Sequence, residues 1–157
     1  GGGEAQALGR SRGGFSTKVI AVACDEDGVV ALDVAEGQRN DAPLAKPVLI
    51  EARDAVGEVL GDKGFDSDAV RDVVLDDLDA LPIIPNRSRR KQPWPWDDAM
   101  REAYKRRNRV ERAFAKAKQF RRFATRYEKL KDVYLGVARL VFGFIHVRKL
   151  AQSVNTP

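Results

Sequence analysis

The chain has little of what small enzymes use for thiol or imidazole chemistry: among 157 residues there is one cysteine, one histidine and one methionine. A lone Cys24 excludes an internal disulfide and any cysteine-based zinc cluster, which fits a reducing cytoplasm. Cys24 belongs to an alternating strand pattern and His146 is the sole imidazole, which leaves no Cys–His dyad worth pursuing; His146 reads as a satisfied, partly buried side chain. Long apolar runs are lacking too. The best, Val133 to Val147, covers about 15 residues and is broken by Arg139, too short and too charged to cross a membrane. No secretory leader is visible in the Gly-rich, polar start. Gly1–Gly14 reads as a flexible lead-in (residues 1–16), because no strand precedes those glycines to build a phosphate-cradling loop.

What is present is positive charge, unevenly placed. The net charge is +5, yet from Asn86 to Arg126 there are 15 Lys and Arg against 4 acids, a local +11 that leaves −6 on the rest. A basic block on an otherwise acidic chain predicts a polyanion on one face, and nucleic acid is the usual one. A solvated helix that merely keeps the protein soluble is the plainer alternative.

With this length one domain is the default, here residues 17–150 followed by a tail at 151–157. Lys18–Cys24 and Val29–Val34 alternate around Asp25-Glu26-Asp27-Gly28, which predicts a β-hairpin; the acidic turn lacks the later ligands of a calcium loop. The GQRNDA loop (Gly37–Ala42) offers Asp41 as N-cap, with Pro43 in the first turn of a helix reaching Asp54. Glu58–Leu60 is a short strand leading to Asp62, Asp66 or Ser67 caps the next helix, and Leu81–Ile84 is a further strand. Arg87–Asp97 is a cationic loop punctuated by Pro and Trp. One long helix is predicted from Asp97 or Asp98 to about Phe123, with Ala103, Val110, Phe114 and Ala117 as its apolar stripe. A core helix follows over Asp132–Leu150. The order is that of a mixed α/β fold with antiparallel and parallel pairing, and a further strand at its front would complete a ribonuclease-H-like sheet flanked by helices.

Two acids stand out. Asp62 follows a strand end, where ligands of α/β sheets tend to lie. On the long helix, Tyr104, Arg107, Glu111 and Lys118 fall within an arc of about 60° at 100° per residue. A helix salt bridge for Glu111 is the plain reading, but Arg107 precedes it in the weaker order and position 115 is Ala. Two carboxylates among cations suit Mg²⁺ or Mn²⁺ shared with phosphate oxygens, and two such ions promote in-line displacement at phosphorus. A typical site of that kind has a third carboxylate.

Four segments now carry a resemblance: ALGRSRGGFSTKV (Ala7–Val19), GQRNDA, GDKGFDS (Gly61–Ser67) and RNRVERAFAKAKQFRRFATRYEKL (Arg107–Leu130). In this order they resemble the DDE transposases of bacterial insertion sequences, insertion-sequence 4/5 type. The signature Tyr-x2-Arg-x3-Glu-x6-Lys of that family falls on Tyr104, Arg107, Glu111 and Lys118. The resemblance implies that Asp62 and Glu111 are the second and third metal-binding acids, with Mg²⁺ or Mn²⁺ as cofactor. It also implies that Arg107 and Lys118 contact phosphates near the cut end while Tyr104 positions it. Phe65 and Asn40 stand where relatives often have Tyr and His. The first Asp of the family lies upstream of ALGRSRGG; Asp25, in a turn, and Asp33, on a later strand, do not replace it.

The expectation is therefore a C-terminal transposase portion lacking its first strand, a truncated or split-frame product that alone binds DNA (terminal inverted repeats and target) without cutting it. An upstream-encoded partner would supply the Asp, with self-association on DNA and a cytoplasmic, nucleoid-associated location. Alternatives are a DNA-binding remnant with idle carboxylates and a ribonuclease-H-like nuclease or resolvase. Further DNA contacts are expected from Arg87, Arg89, Arg90, Lys91, Arg121 and Arg122. Trp94 and Trp96 either stack on unpaired bases or pin their loop to the body.

Overall fold

The computed structural model describes residue 7 and residues 9–11, 14–25 and 27–154. The chain divides into two compact units, residues 1–39 with 109–157 and residues 40–108. Its class is mixed α/β with small sheets, as the alternation of strand and helix patterns predicts.

The first unit holds a three-stranded antiparallel sheet, β1 (Gly9–Ser11), β2 (Gly14–Ala23) and β3 (Val29–Glu36), in the order β1-β2-β3. The predicted hairpin is β2–β3, with Thr17 opposite Glu36, Ile20 opposite Asp33 and a register shift at Val22/Ala23. Its turn closes on Asp25, whose Oδ1 accepts the amides of Asp27 at 2.7 Å and Gly28 at 2.6 Å. That double acceptance is why an Asp starts this turn. β1 and the start of β2 occupy part of the stretch expected as a flexible lead-in; residues 1–6, 8, 12 and 13 of that lead-in lie outside the described residues.

The second unit begins with α1 (Asp41–Glu51). Asn40, not Asp41, is its N-cap; Asp41 is instead the first helical residue, where a negative charge meets the helix dipole. β4 (Glu58–Leu60) pairs in parallel with β5 (Leu81–Ile83), Glu58 opposite Leu81 and Leu60 opposite Ile83. Between them Ser67 caps α2 (Asp68–Asp72), its Oγ accepting the Val70 amide at 3.3 Å. The helix continues as a π-turn over Val73–Asp77. Val70, Val73, Val74 and Leu78 are buried, as their helical spacing predicts.

The long helix is not continuous. It runs as α3 (Asp98–Tyr104), a 3₁₀ turn (Lys105–Arg107), α4 (Asn108–Ala117) and a separate short α5 (Arg121–Ala124). Asp97 starts it, with Oδ1 accepting the Met100 amide at 2.8 Å. The stripe from Tyr104 to Lys118 therefore does not hold at 100° per residue: a 3₁₀ turn winds more tightly, and Lys118 lies past the helix end. Packing decides where α4 stops. Beyond the break, Phe123 stacks on Tyr134 at 5.9 Å and meets Phe142 edge-on at 5.6 Å, while Phe120 meets Phe144 at 5.8 Å.

Those partners lie on α6 (Lys131–Val154), four residues longer than predicted at its C-terminus; residues 155–157 of the expected tail lie outside the described residues. Only one face of α6 is core. Tyr134, Ala138, Val141, Phe142 and Ile145 are buried with Leu32, Val34, Ala113 and Ala117, whereas Leu140, Phe144 and Val147 are exposed. No helix among the described residues is long and apolar enough to cross a membrane.

Candidate metal and nucleic-acid site

In the second unit, Asp62 stands two residues past the end of β4 and caps a 3₁₀ turn, Lys63–Phe65. Its Oδ1 accepts the Gly64 amide at 2.7 Å, and its side chain is exposed. A second carboxylate faces the same glycine. A Cβ built on Gly64 would lie 2.8 Å from Asp62 Oδ1 and 2.8 Å from Asp41 Oδ2, so the two oxygens are separated by no more than twice that distance. Gly64 leaves open the space between two acids that are 21 positions apart in the sequence. Sequence reading placed Asp41 only as a cap and missed this approach; no local signal could show it.

Beside this turn lies a buried ion-pair network. Asp66 and Arg71 are 4% and 2% exposed. Asp66 Oδ1 accepts from Arg71 Nε at 3.2 Å, Arg71 Nη2 at 3.0 Å and Arg90 Nη1 at 3.0 Å, and Arg71 also donates to the Ile84 carbonyl at 2.7 Å. Burying a carboxylate costs heavily unless it is paired and hydrogen-bonded, and here it is both. An arginine set between Val70 and Val74 on an apolar helix face is the one sequence signal that could have revealed it.

The cationic loop after β5 is tied down by this network. Arg90 also pairs with Asp68. Trp94 lies 5.2 Å under the Arg71 guanidinium, and Asn86 exchanges two 2.9 Å hydrogen bonds with its backbone. Trp96 meets Tyr104 edge-on at 5.6 Å, and the Arg107 guanidinium lies 5.6 Å over the same Tyr104 ring. Tyr104, Arg107 and Trp96 are thus brought together. Both tryptophans are half-buried by these contacts, while Arg89 and Lys91 are exposed.

In the first unit, Glu111 is exposed in the first turn of α4, with Ala113 and Ala117 of that helix buried. Lys118 and Arg121 are exposed; the Lys118 amide still donates to Phe114 at 2.9 Å. Arg122 donates through Nε to the buried Glu128 at 2.8 Å. Asp33 pairs with Lys131 at 3.5 Å and Asp25 with Lys149 at 2.7 Å. The hydrogen bond from Lys149, joined by the Asp27 and Gly28 amides, holds the Asp25 carboxyl down at about 2. Partial desolvation and the Asp25 charge beside it raise the exposed Cys24 thiol above its ordinary range. Among the described residues no three His, Cys, Asp or Glu side chains gather to hold a metal ion.

A family model described as a transposase DDE domain matches residues 4–142. The chain belongs to this family. It is also 32% identical over 114 residues to a Brucella ovis protein named as a transposase for insertion sequence element IS6501, across 71% of this chain and 83% of that protein. No solved structure matches it significantly. Membership in the DDE transposase family accords with the order of the four segments, and GDKGFDS, which carries Asp62, and the Glu111 helix both fall inside the matched region.

Proposed function

We propose that this DDE transposase domain acts in DNA transposition, cleaving and joining strands at insertion-sequence ends with a divalent cation, Mg²⁺ or Mn²⁺, as cofactor. Asp62 carries the reading. Its carboxylate follows a strand end and is oriented by a backbone amide, and the open space over Gly64 brings Asp41 toward it. Hard carboxylate oxygens around a space that a Cβ would fill fit such a cation. Asp62 would hold it, with Asp41 the second acid beside it in this unit; Glu111 is assigned by its place in the Tyr104–Lys118 signature. A cation held there would supply activation of the attacking oxygen and charge stabilisation of the leaving one.

The chain's own residues do the rest. The Gly64 amide orients the Asp62 carboxylate. Arg107, Lys118, Arg121, Arg89 and Lys91 neutralise phosphates, and Tyr104, met edge-on by Trp96 and covered by the Arg107 guanidinium, offers a phenol to position the strand end. In this reading the fold is ribonuclease-H-like. Dimerisation on DNA and a cytoplasmic, nucleoid-associated location belong to the same reading.

Mg²⁺-dependent cleavage of a terminal inverted repeat by the intact protein should be abolished by Asp62→Ala or Glu111→Ala. If both alanine variants of the intact protein keep every activity, it is a DNA-binding remnant. A strand-transfer assay with a 3′-hydroxyl end separates transposase from nuclease or resolvase.

A further inference from the structure

Arg87 opens the cationic loop that the sequence assigns to DNA, yet its guanidinium is spent on the turn that carries Asp62. Nε donates to the Lys63 carbonyl at 2.8 Å and Nη2 to the Gly64 carbonyl at 2.6 Å. The Lys63 carbonyl and the Gly64 amide belong to one planar peptide unit. That amide donates to Asp62 Oδ1 at 2.7 Å. A cation therefore grips one end of a rigid group whose other end grips the carboxylate. Both bonds are charge-assisted, and bonds in such a chain polarise and strengthen one another. Turning the peptide plane would break both at once.

Arg87 is itself anchored. Its backbone amide donates to Asp66 Oδ2 at 2.7 Å, and Asp66 is the buried partner of Arg71. The turn is closed by the same residues, since the Asp66 amide donates to the Lys63 carbonyl at 3.2 Å. A surface arginine that served only a phosphate would need none of this inward bonding.

We propose that Arg87 is a positioning residue for Asp62, setting the direction of its carboxylate through the Lys63–Gly64 peptide. The inference rests on the reading of Asp62 as a metal-binding acid. Three measurements test it on the full chain: the Gly64 amide resonance, Mn²⁺ affinity from the paramagnetic signal of the free ion, and the salt dependence of duplex binding. Arg87→Ala should shift the Gly64 amide upfield and speed its exchange. It should also weaken Mn²⁺ binding roughly 10-fold or more, the usual effect of losing a group that orients a metal ligand, and leave the salt slope unchanged.

Arg87→Lys keeps the charge without the fork, and is expected to restore thermal stability but not the Mn²⁺ affinity; it carries the test if Arg87→Ala fails to fold. Wild-type amide shift and Mn²⁺ affinity in Arg87→Ala, or a salt slope reduced by about one phosphate contact as the sole change, would overturn the inference. Asp62→Ala separates the two claims. If it leaves Mn²⁺ binding untouched the metal reading fails, and the Gly64 amide alone then decides the role of Arg87.

Discussion

Gly64 earns its place by what it leaves empty. Any side chain there enters the space shared by Asp41 Oδ2 and Asp62 Oδ1, each 2.8 Å from where a Cβ would sit. Both are ends of short side chains that can rotate away, so Gly64→Ala should fold with a stability change of about 1 kcal/mol or less. Its cost should appear in function: weaker Mn²⁺ binding than wild type, seen by titration, with DNA affinity retained. Unchanged Mn²⁺ binding would show that the two carboxylates do not share a ligand. Asp25 makes a different claim, on acid stability. Its folded carboxyl titrates at about 2 against an ordinary 3.8, so its contribution is present above the upper value and is lost as pH falls through the lower. Asp25→Asn should flatten the acid limb of stability between those two values in pH-dependent unfolding. The effect should be small, because the group is part-exposed and screened.

Helix ends and loops show how packing overrides local preference. Nothing in KAKQF forbids a helix, yet α4 stops at Ala117, and the chain resumes with Phe120 and Phe123 seated against α6. Likewise the 3₁₀ turn at Lys105–Arg107 occurs in a run of good helix formers. In the second unit the loop after β5 is organised by α2 through Arg71, which links Asp66, the Ile84 carbonyl and the Trp94 ring. Arg71→Met would leave Asp66 buried with only Arg90 and a backbone amide beside it. Breaking a buried pair from one side costs about 3–5 kcal/mol; denaturant unfolding should show a loss near the lower end, with Trp94 fluorescence shifted toward that of exposed indole. A loss below about 1 kcal/mol would mean that the network is dispensable.

Across the chain the basic block is less naked than its composition suggests. Six of its cations, Arg90, Arg101, Lys105, Arg106, Lys116 and Arg122, are paired with acids in the described structure. Several partners, such as Glu58, Asp27 and Glu128, come from outside the block or its centre. Of its 15 Lys and Arg, and with Arg87 turned inward, at most eight (15 − 6 − 1) then remain for phosphates. At about −0.9 per neutralised phosphate, the block's contribution to the plot of log affinity against log salt should be no steeper than about −7. A markedly steeper slope would show that these pairs yield to DNA.

Strands were legible because their causes are local: period-two alternation built β2 and β3, and an Asp started the hairpin turn. Ser67 and Asp97, each one of two residues the sequence offered, capped their helices, whereas the cap expected at Asp41 falls on Asn40. The family was legible for a related reason, since its motifs are short and ordered. Asp62 could be placed at a strand end from neighbouring residues alone. The approach of Asp41 to Asp62, the burial of Arg71, the turning of Arg87 away from its assumed partner and the interruption of the long helix were decided by tertiary structure. Each depends on side chains brought together from distant positions, where desolvation and close packing outweigh the propensity of any single segment.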